Sequence, residues 1–431
     1  MRPLNVLLVS TLVLIAGRSY AKFEAHEWGT FTSVVDSTGI TQNGMYHEDE
    51  VLPGFVHPFG ELRVEAHLPT QPAPSPIPMP NPGPRPPCHS KICFGQDELR
   101  QNLITQKMET PVIYFYADQA QTVNVDVKFP EGVITETYPG PISTFPTMND
   151  PHVIGNGSTQ FALTISGSKT GAVPAVEAGN IYGHARSVNS NLVSSGVEQE
   201  KFLFYRGLGR FQPQISITSK DGQLKIAGLA RARPQAAFLI HVNESGDGQM
   251  LSLDGVKAKE EVTVLAKRIA QLKDHTQAVP YIMKGQQARG KMIDELITSG
   301  LYQDEAEAMI NTWENGYLKV PGLRLLYILP RTEVDKVLPL TMNPSPEKLV
   351  RSFVGRMEIL LDTDEQKVMQ EIISQQDRFQ ARSLGRFAEP ILHRMRELAL
   401  QSQGANSPLV NLIDRLIQEA ATDFTASGTV N

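Results

Sequence analysis

The sequence predicts an α+β protein: an antiparallel β-sandwich-like domain followed by an α+β segment and a helical C-terminal region. Three observations carry that prediction. Val123, Val125, Val127 and Phe129 alternate with Asn124, Asp126 and Lys128, the period of a half-buried strand. Short apolar runs separated by Gly, Pro, Asn and Asp continue to about residue 255 without long helical stretches between them. That arrangement favours an antiparallel sandwich or barrel over a parallel α/β sheet. Beyond Val256 the apolar spacing lengthens to that of helices.

The elements follow in order. Residues 1–21 read as a secretory signal: Arg2 gives a basic start, Val6 to Ala16 is mostly apolar, and Ser19-Tyr20-Ala21 offers a cleavage site. The apolar run is too short to span a membrane. The mature chain is expected to begin at Lys22 and to work outside the cytoplasm. Residues 22–68 are too few for a core of their own and are expected to add a strand to the β domain. Residues 69–87 hold ten prolines in nineteen positions, so they can form neither a central strand nor a helix. A stiff linker or long surface loop is the favoured reading. A ligand for proline-recognising domains is disfavoured, because those domains work chiefly inside cells.

Residues 88–255 are assigned to the β domain. Pro111–Ala117 reads as the strand beside the alternating one, with Val133–Tyr138 as a third. Further strands fit Phe161–Ile165, Phe202–Tyr205, Ile215–Thr218, Leu224–Ala227 and Phe238–Val242, and Asp221-Gly222 is a hairpin turn. Residues 256–362 form the α+β region. Val262, Leu265, Ile269 and Leu272 have helical spacing, and a second helix starts after Gly300 with Asp304 and Glu305 in its first turn. Leu323–Leu329 is a buried strand partnered by Val354–Leu361. Residues 363–431 are helical to about Ala421.

Composition narrows function. With 41% hydrophobic and 20% charged residues, the chain has the makings of a folded core. Removing two arginines with the signal leaves 38 basic against 46 acidic residues, a net charge of −8. A mildly acidic chain with no basic block argues against nucleic-acid binding. No later run is long enough for a transmembrane helix. Cys88 and Cys93 are the only cysteines, and export predicts that they pair in a disulfide worth about 2 kcal/mol.

Candidate chemistry gathers near the start. His26, Glu27, His47, Glu48, Asp49, His57 and His67 include the side chains that Zn, Mn, Fe or Ni sites use. About three such ligands and an open position would make a catalytic metal centre. The spacing matches no metal motif, since Thr30 and Val51 stand where His-Glu-x-x-His needs its second histidine. The rival reading is surface and turn histidines. Trp28 and Tyr46 are candidates for stacking on a sugar, with Phe31, Tyr114, Tyr116, Tyr138 and Tyr205 behind them, though core packing explains such aromatics more simply. Glu27, Glu61, Glu109 and Glu136 are available for acid–base work, but a glycosidase needs a carboxylate spacing that sequence does not give. The chain has no Gly-x-Ser-x-Gly elbow, no phosphate-binding loop and no dinucleotide fingerprint.

His26-Glu27-Trp28-Gly29-Thr30-Phe31-Thr32-Ser33 resembles the N-terminal signature of a family of uncharacterised, exported bacterial proteins. Lys107 to Tyr116, Tyr205 to Gly209, Gly300 to Trp313, Leu326 to Arg331 and Val354-Gly355-Arg356 resemble later blocks of that family. The resemblance implies a bacterial source and a periplasmic or extracellular location, and carries no activity. The expected function is a non-catalytic exported protein that binds an envelope component, a carbohydrate or another protein. The alternative is a metal-dependent hydrolase built on the N-terminal His/carboxylate group. No cofactor is predicted, and a divalent metal is the one the residues would admit.

Overall fold

The computed structural model describes residues 22–45, 47, 51–58, 104–146, 154–228, 234–253 and 261–426. A ten-stranded sheet dominates it. Its strands are β1 (Phe23–Val35), β2 (His57–Pro58), β3 (Gln106–Ala117), β5 (Gly132–Tyr138), β10 (Leu203–Gly209), β13 (Ala237–Val242), β14 (Gly248–Leu253), β16 (Ile282–Lys284), β17 (Gly322–Ile328) and β19 (Lys348–Ile359). The order is β16-β14-β13-β17-β19-β1-β3-β10-β5-β2. A second sheet contains β18 (Leu340–Asn343), β4 (Gln121–Phe129), β7 (Gly157–Ile165), β8 (Val193–Ser195) and β9 (Glu198–Glu200), with β6 (Ser143–Phe145) beside β7. A third sheet is β11 (Ile215–Lys220), β12 (Gln223–Gly228) and β15 (Glu261–Val264).

The sandwich arises because the large sheet is apolar on both faces. On one face Ala25, Phe31, Phe115, Leu325 and Met357 share a core with Val123, Val125, Val127, Phe161 and Leu163 of the second sheet and Ile217 and Ile226 of the third. On the other face Trp28, Tyr114, Phe204, Ile240 and Leu326 pack against two helices, α2 (Gly285–Thr298) and α3 (Gln303–Leu318). Both helices present apolar side chains at helical spacing: Ala288, Met292 and Leu296 from α2, and Met309, Trp313 and Tyr317 from α3.

The α+β architecture with its helical C-terminus is as expected, and the Asp221-Gly222 turn holds positive φ at both residues, as a two-residue hairpin requires. The predicted pairing of Leu323–Leu329 with Val354–Leu361 is present between β17 and β19. Three details differ. β3 and β4 follow each other in sequence but lie in different sheets: β3 is buried on both faces and pairs with β1 and β10, whereas β4 alternates and pairs with β7 and β18. Val262 sits in β15, and the helix that follows, α1 (Ala266–Lys273), starts only after Leu265. The sheet is also not wholly antiparallel, because β1 and β19 run parallel. Parallel pairing needs a long connection, and over three hundred residues separate the two strands. Strands from both sides of residue 255 share the large sheet.

Residues 22–35 supply the central strand β1. Gly29 is required there, since a Cβ would stand 2.7 Å from the Phe353 ring. Beyond α4 (Arg331–Val337), the described residues hold three further α-helices: α5 (Asp362–Gln375), α6 (Ala388–Gln403) and α7 (Pro408–Ala426). They form a core of their own around Leu392, Met395, Ile413 and Leu416. Arg394 of α6 ties that core to the end of β1 through Asp36 at 3.2 Å and to α5 through Glu365 at 3.0 Å. Among the described residues, no helix is long and apolar enough to cross a membrane.

The disulfide expected between Cys88 and Cys93 is corrected: the structure has no disulfide bond among its described residues, and both cysteines lie outside them. An oxidising compartment permits pairing, but a bond also needs Cα atoms within about 7 Å, which sequence spacing does not supply. The signal at 1–21, the proline run at 69–87, Tyr46, Glu48, Asp49, Glu61 and His67 also lie outside the described residues.

Candidate functional site

Strand β1 carries the distinctive sequence, and its geometry explains it. Successive side chains of a strand point to opposite faces. His26 and Glu27 are therefore separated by the sheet. On the helical face, His26 is fully buried, with Nδ1 2.9 Å from Glu305 Oε2 of α3. The same carboxylate accepts from the Tyr302 amide N–H, and its other oxygen accepts from the Tyr116 hydroxyl. Burial and the Glu305 charge push the Tyr116 phenol far above its ordinary range, so it stays a donor. His26 Nε2 has no hydrogen-bond partner, and its nearest carboxylate, Glu24, lies 3.9 Å away.

On the sandwich face, Glu27 accepts from the Tyr205 hydroxyl and from Arg351 Nε, all three buried. Burial alone would lower the Arg351 pKa, but Glu27 outweighs it and holds the guanidinium charged. Further along β1, Thr30 meets the Tyr317 hydroxyl at 2.6 Å, and Thr32 donates to Glu109 at 2.6 Å. Glu109 also pairs with Arg386. The signature is thus a central strand whose polar side chains are locked to sequence-distant partners.

The other candidates are dispersed. His47 is buried and bonds Glu389 of α6 at 2.8 Å. His57 is half-buried on the edge strand β2 and bonds Glu198 at 2.6 Å. The recess beside His57 has a volume near 10 Å³, room for one water at most. Among the described residues, no three His, Cys, Asp or Glu side chains form a group able to hold a metal ion. Trp28 is fully buried in the core under the helices, and Phe31, Tyr114 and Tyr205 are buried too, so none offers a face to a sugar. Apart from His57 on its edge strand, these side chains are buried under a second layer of structure.

The open feature lies at the edge of the large sheet. A cavity of about 320 Å³ is lined by the β13–β14 turn, the start of α2 and the end of α3, within the size range of small-molecule sites. Gly246, Asp247 and Gly248 form one wall, and Gly248 lets that turn approach the Leu318 carbonyl, which a Cβ would meet at 2.8 Å. Lys284, Arg289 and Lys319 bring three positive charges, and Asp247 and Glu314 bring two negative ones. Lys319 is paired with Glu314 at 3.0 Å. Arg289 donates through Nη2 to Asn311 at 2.8 Å, while its buried Nη1 has no partner. Helix α2 opens on this cavity with no side-chain cap and no acid in its first turn. Its first backbone N–H groups carry the positive end of the helix dipole.

His275 lines the same cavity and touches His241 of β13, with Nε2 and Nδ1 3.0 Å apart. Burial, with help from Lys273 and His275, pushes His241 down to about 4, so it is neutral at pH 7. The cavity residues come from separated segments with no shared pattern. The only local signals are the turns Gly246-Asp247-Gly248 and Lys284-Gly285.

No family model and no curated protein matches the chain.

Proposed function

We propose that this is an exported, non-catalytic binding protein whose cavity at the start of α2 takes an anionic small molecule, such as an acidic or phosphorylated sugar of the bacterial envelope. One observation carries the reading: Arg289 and Lys284 line the cavity at an uncapped helix N-terminus, three features that favour a negative charge. The secretory signal read at residues 1–21 supports a periplasmic or extracellular setting, and the resemblance of the His26–Ser33 segment supports membership of an exported bacterial family. The alternative of an N-terminal metal-dependent hydrolase has less support: His26, His47 and His57 are each held by a different carboxylate, and Glu48, Asp49 and His67 lie outside the described residues.

Calorimetric titration of the mature protein with glucuronate and with glucose 1-phosphate tests the reading. Saturable one-to-one binding of either, weakened at least tenfold in Arg289→Ala and unaltered for neutral glucose, is the expected outcome. Equal or absent binding of charged and neutral sugars overturns it.

A further inference from the structure

We propose that His241 and His275, together with the side-chain carbonyl of Gln249, form a site for one divalent metal ion of the zinc class. His241 Nδ1 and His275 Nε2 lie 3.0 Å apart, with ring planes at 65°. Two imidazoles bound tetrahedrally to one zinc at about 2.0–2.1 Å place their nitrogens about 3.3 Å apart, so a small opening of this pair admits the ion. Gln249 stands directly opposite His241 in the β13–β14 register, which puts both side chains on one face of the sheet. It is fully buried, and its Nε2 donates to the Asp274 carbonyl at 3.1 Å, beside His275. Its Oε1 has no donor. A buried carbonyl oxygen without a partner is costly, and a cation removes that cost.

Three elements fix the donors. β13 and β14 hold His241 and Gln249 in register, and α1, packed on both strands through Leu272, delivers His275 just past its end. The surrounding charge permits a cation. Lys273 is paired with Asp364 at 3.3 Å and Arg324 with Glu358 at 2.9 Å; beside His275, Lys284 opposes a cation while Asp247 and Asp274 set two negative charges against it. His275 also lines the cavity, so a fourth coordination position opens toward it. This donor set shares no residue with the N-terminal histidines, and it stands whether or not an anion binds the cavity.

The test is titration of metal-stripped mature protein with zinc and with cobalt(II), read by elemental analysis and by the visible absorption of cobalt. One ion per chain is expected. His241→Ala and His275→Ala should each weaken binding at least about 100-fold, since losing even a supporting partner of a metal ligand costs about 10–100-fold. Gln249→Ala should weaken it about tenfold. Arg289→Ala should leave metal affinity unchanged while weakening sugar binding at least tenfold, which separates this inference from the cavity reading. Urea midpoints of the metal-free variants check folding, and His275→Gln, on the half-exposed segment after α1, serves if His241→Ala does not fold. Wild-type protein without stoichiometric metal, or with the same affinity as the His275 variants, overturns the site and leaves an ordinary histidine–histidine hydrogen bond.

Discussion

Strand β1 and the cavity beside α2 use polar residues in opposite ways. In β1, Glu27, Thr30 and Thr32 are buried and bonded to partners as far away as Arg351, and His26 is clamped by Glu305. At the cavity, Arg289 keeps an unused nitrogen, α2 lacks a cap, and Gln249 nearby has an orphan oxygen. Density of polar residues therefore marks architecture in the first region. On the proposed reading, an open, charged recess marks recognition in the second. Apart from the buried His26 Nε2, Trp28 Nε1 and Arg351 Nη2, the polar side chains of the β1 network spend their bonding capacity on one another, whereas the charged groups of the second region line an open recess.

Mutations that separate stability from binding would break this contrast if it is wrong. The largest effect is expected for Glu27→Ala, which removes the buried carboxylate from the Tyr205 hydroxyl and from Arg351 Nε, leaving Arg351 only Asp335 and the Leu338 carbonyl. A loss of about 3–5 kcal/mol in urea unfolding is expected, as for other broken buried pairs. Arg394→Ala comes next. It removes bonds to Asp36 and Glu365 and should cost about 2 kcal/mol. Limited proteolysis should then release the α6–α7 region while the sheets stay protected.

Arg289→Ala should show the reverse pattern, changing stability by no more than about 0.5 kcal/mol while sugar binding falls at least tenfold. If its stability loss matched that of Glu27→Ala, the cavity would be architecture as well.

The smallest effect concerns acid. Burial alone would raise the Asp362 carboxyl, but hydrogen bonds from Ser219 and from the backbone N–H groups of Gly222, Asp221 and Thr363 outweigh it and hold its pKa below the ordinary value of 3.8. A carboxyl with a depressed folded pKa contributes stability that is present above its unfolded pKa and lost as pH falls through the folded one. Thermal midpoints should therefore drop below about pH 4, and Asp362→Asn should flatten that drop while lowering the midpoint at pH 7.

Legibility of the fold followed burial. β4 could be read because only one of its faces meets the core, leaving strict alternation. β3 could be read as a strand but not placed, because a strand buried on both faces loses its alternation and with it any hint of its neighbours. β1 concealed itself further. Its polar residues suggest a surface or a site until each is seen to meet a partner from another layer. The divergence of His26 and Glu27 was nonetheless implicit, since adjacent residues of any strand face apart. The cavity gave no such hint. Asp247, His275, Lys319 and the Lys284–Arg289 stretch are separated in sequence, and none belongs to a recognisable motif.

The sequence by itself determined the local periods: where the chain alternates, where it turns at Asp221-Gly222, and where helices begin near Gln303 and Asp362. These depend on φ/ψ preferences and on which side chains avoid water over a few residues. The tertiary structure alone decided that β1 and β19 lie side by side, that Glu27 meets Arg351, and that His241, His275 and Gln249 come together. Apart from His241 and Gln249, which face each other across one hairpin, those pairings span tens to hundreds of residues. They are set by packing the layers of a whole sandwich, and no short-range preference encodes them.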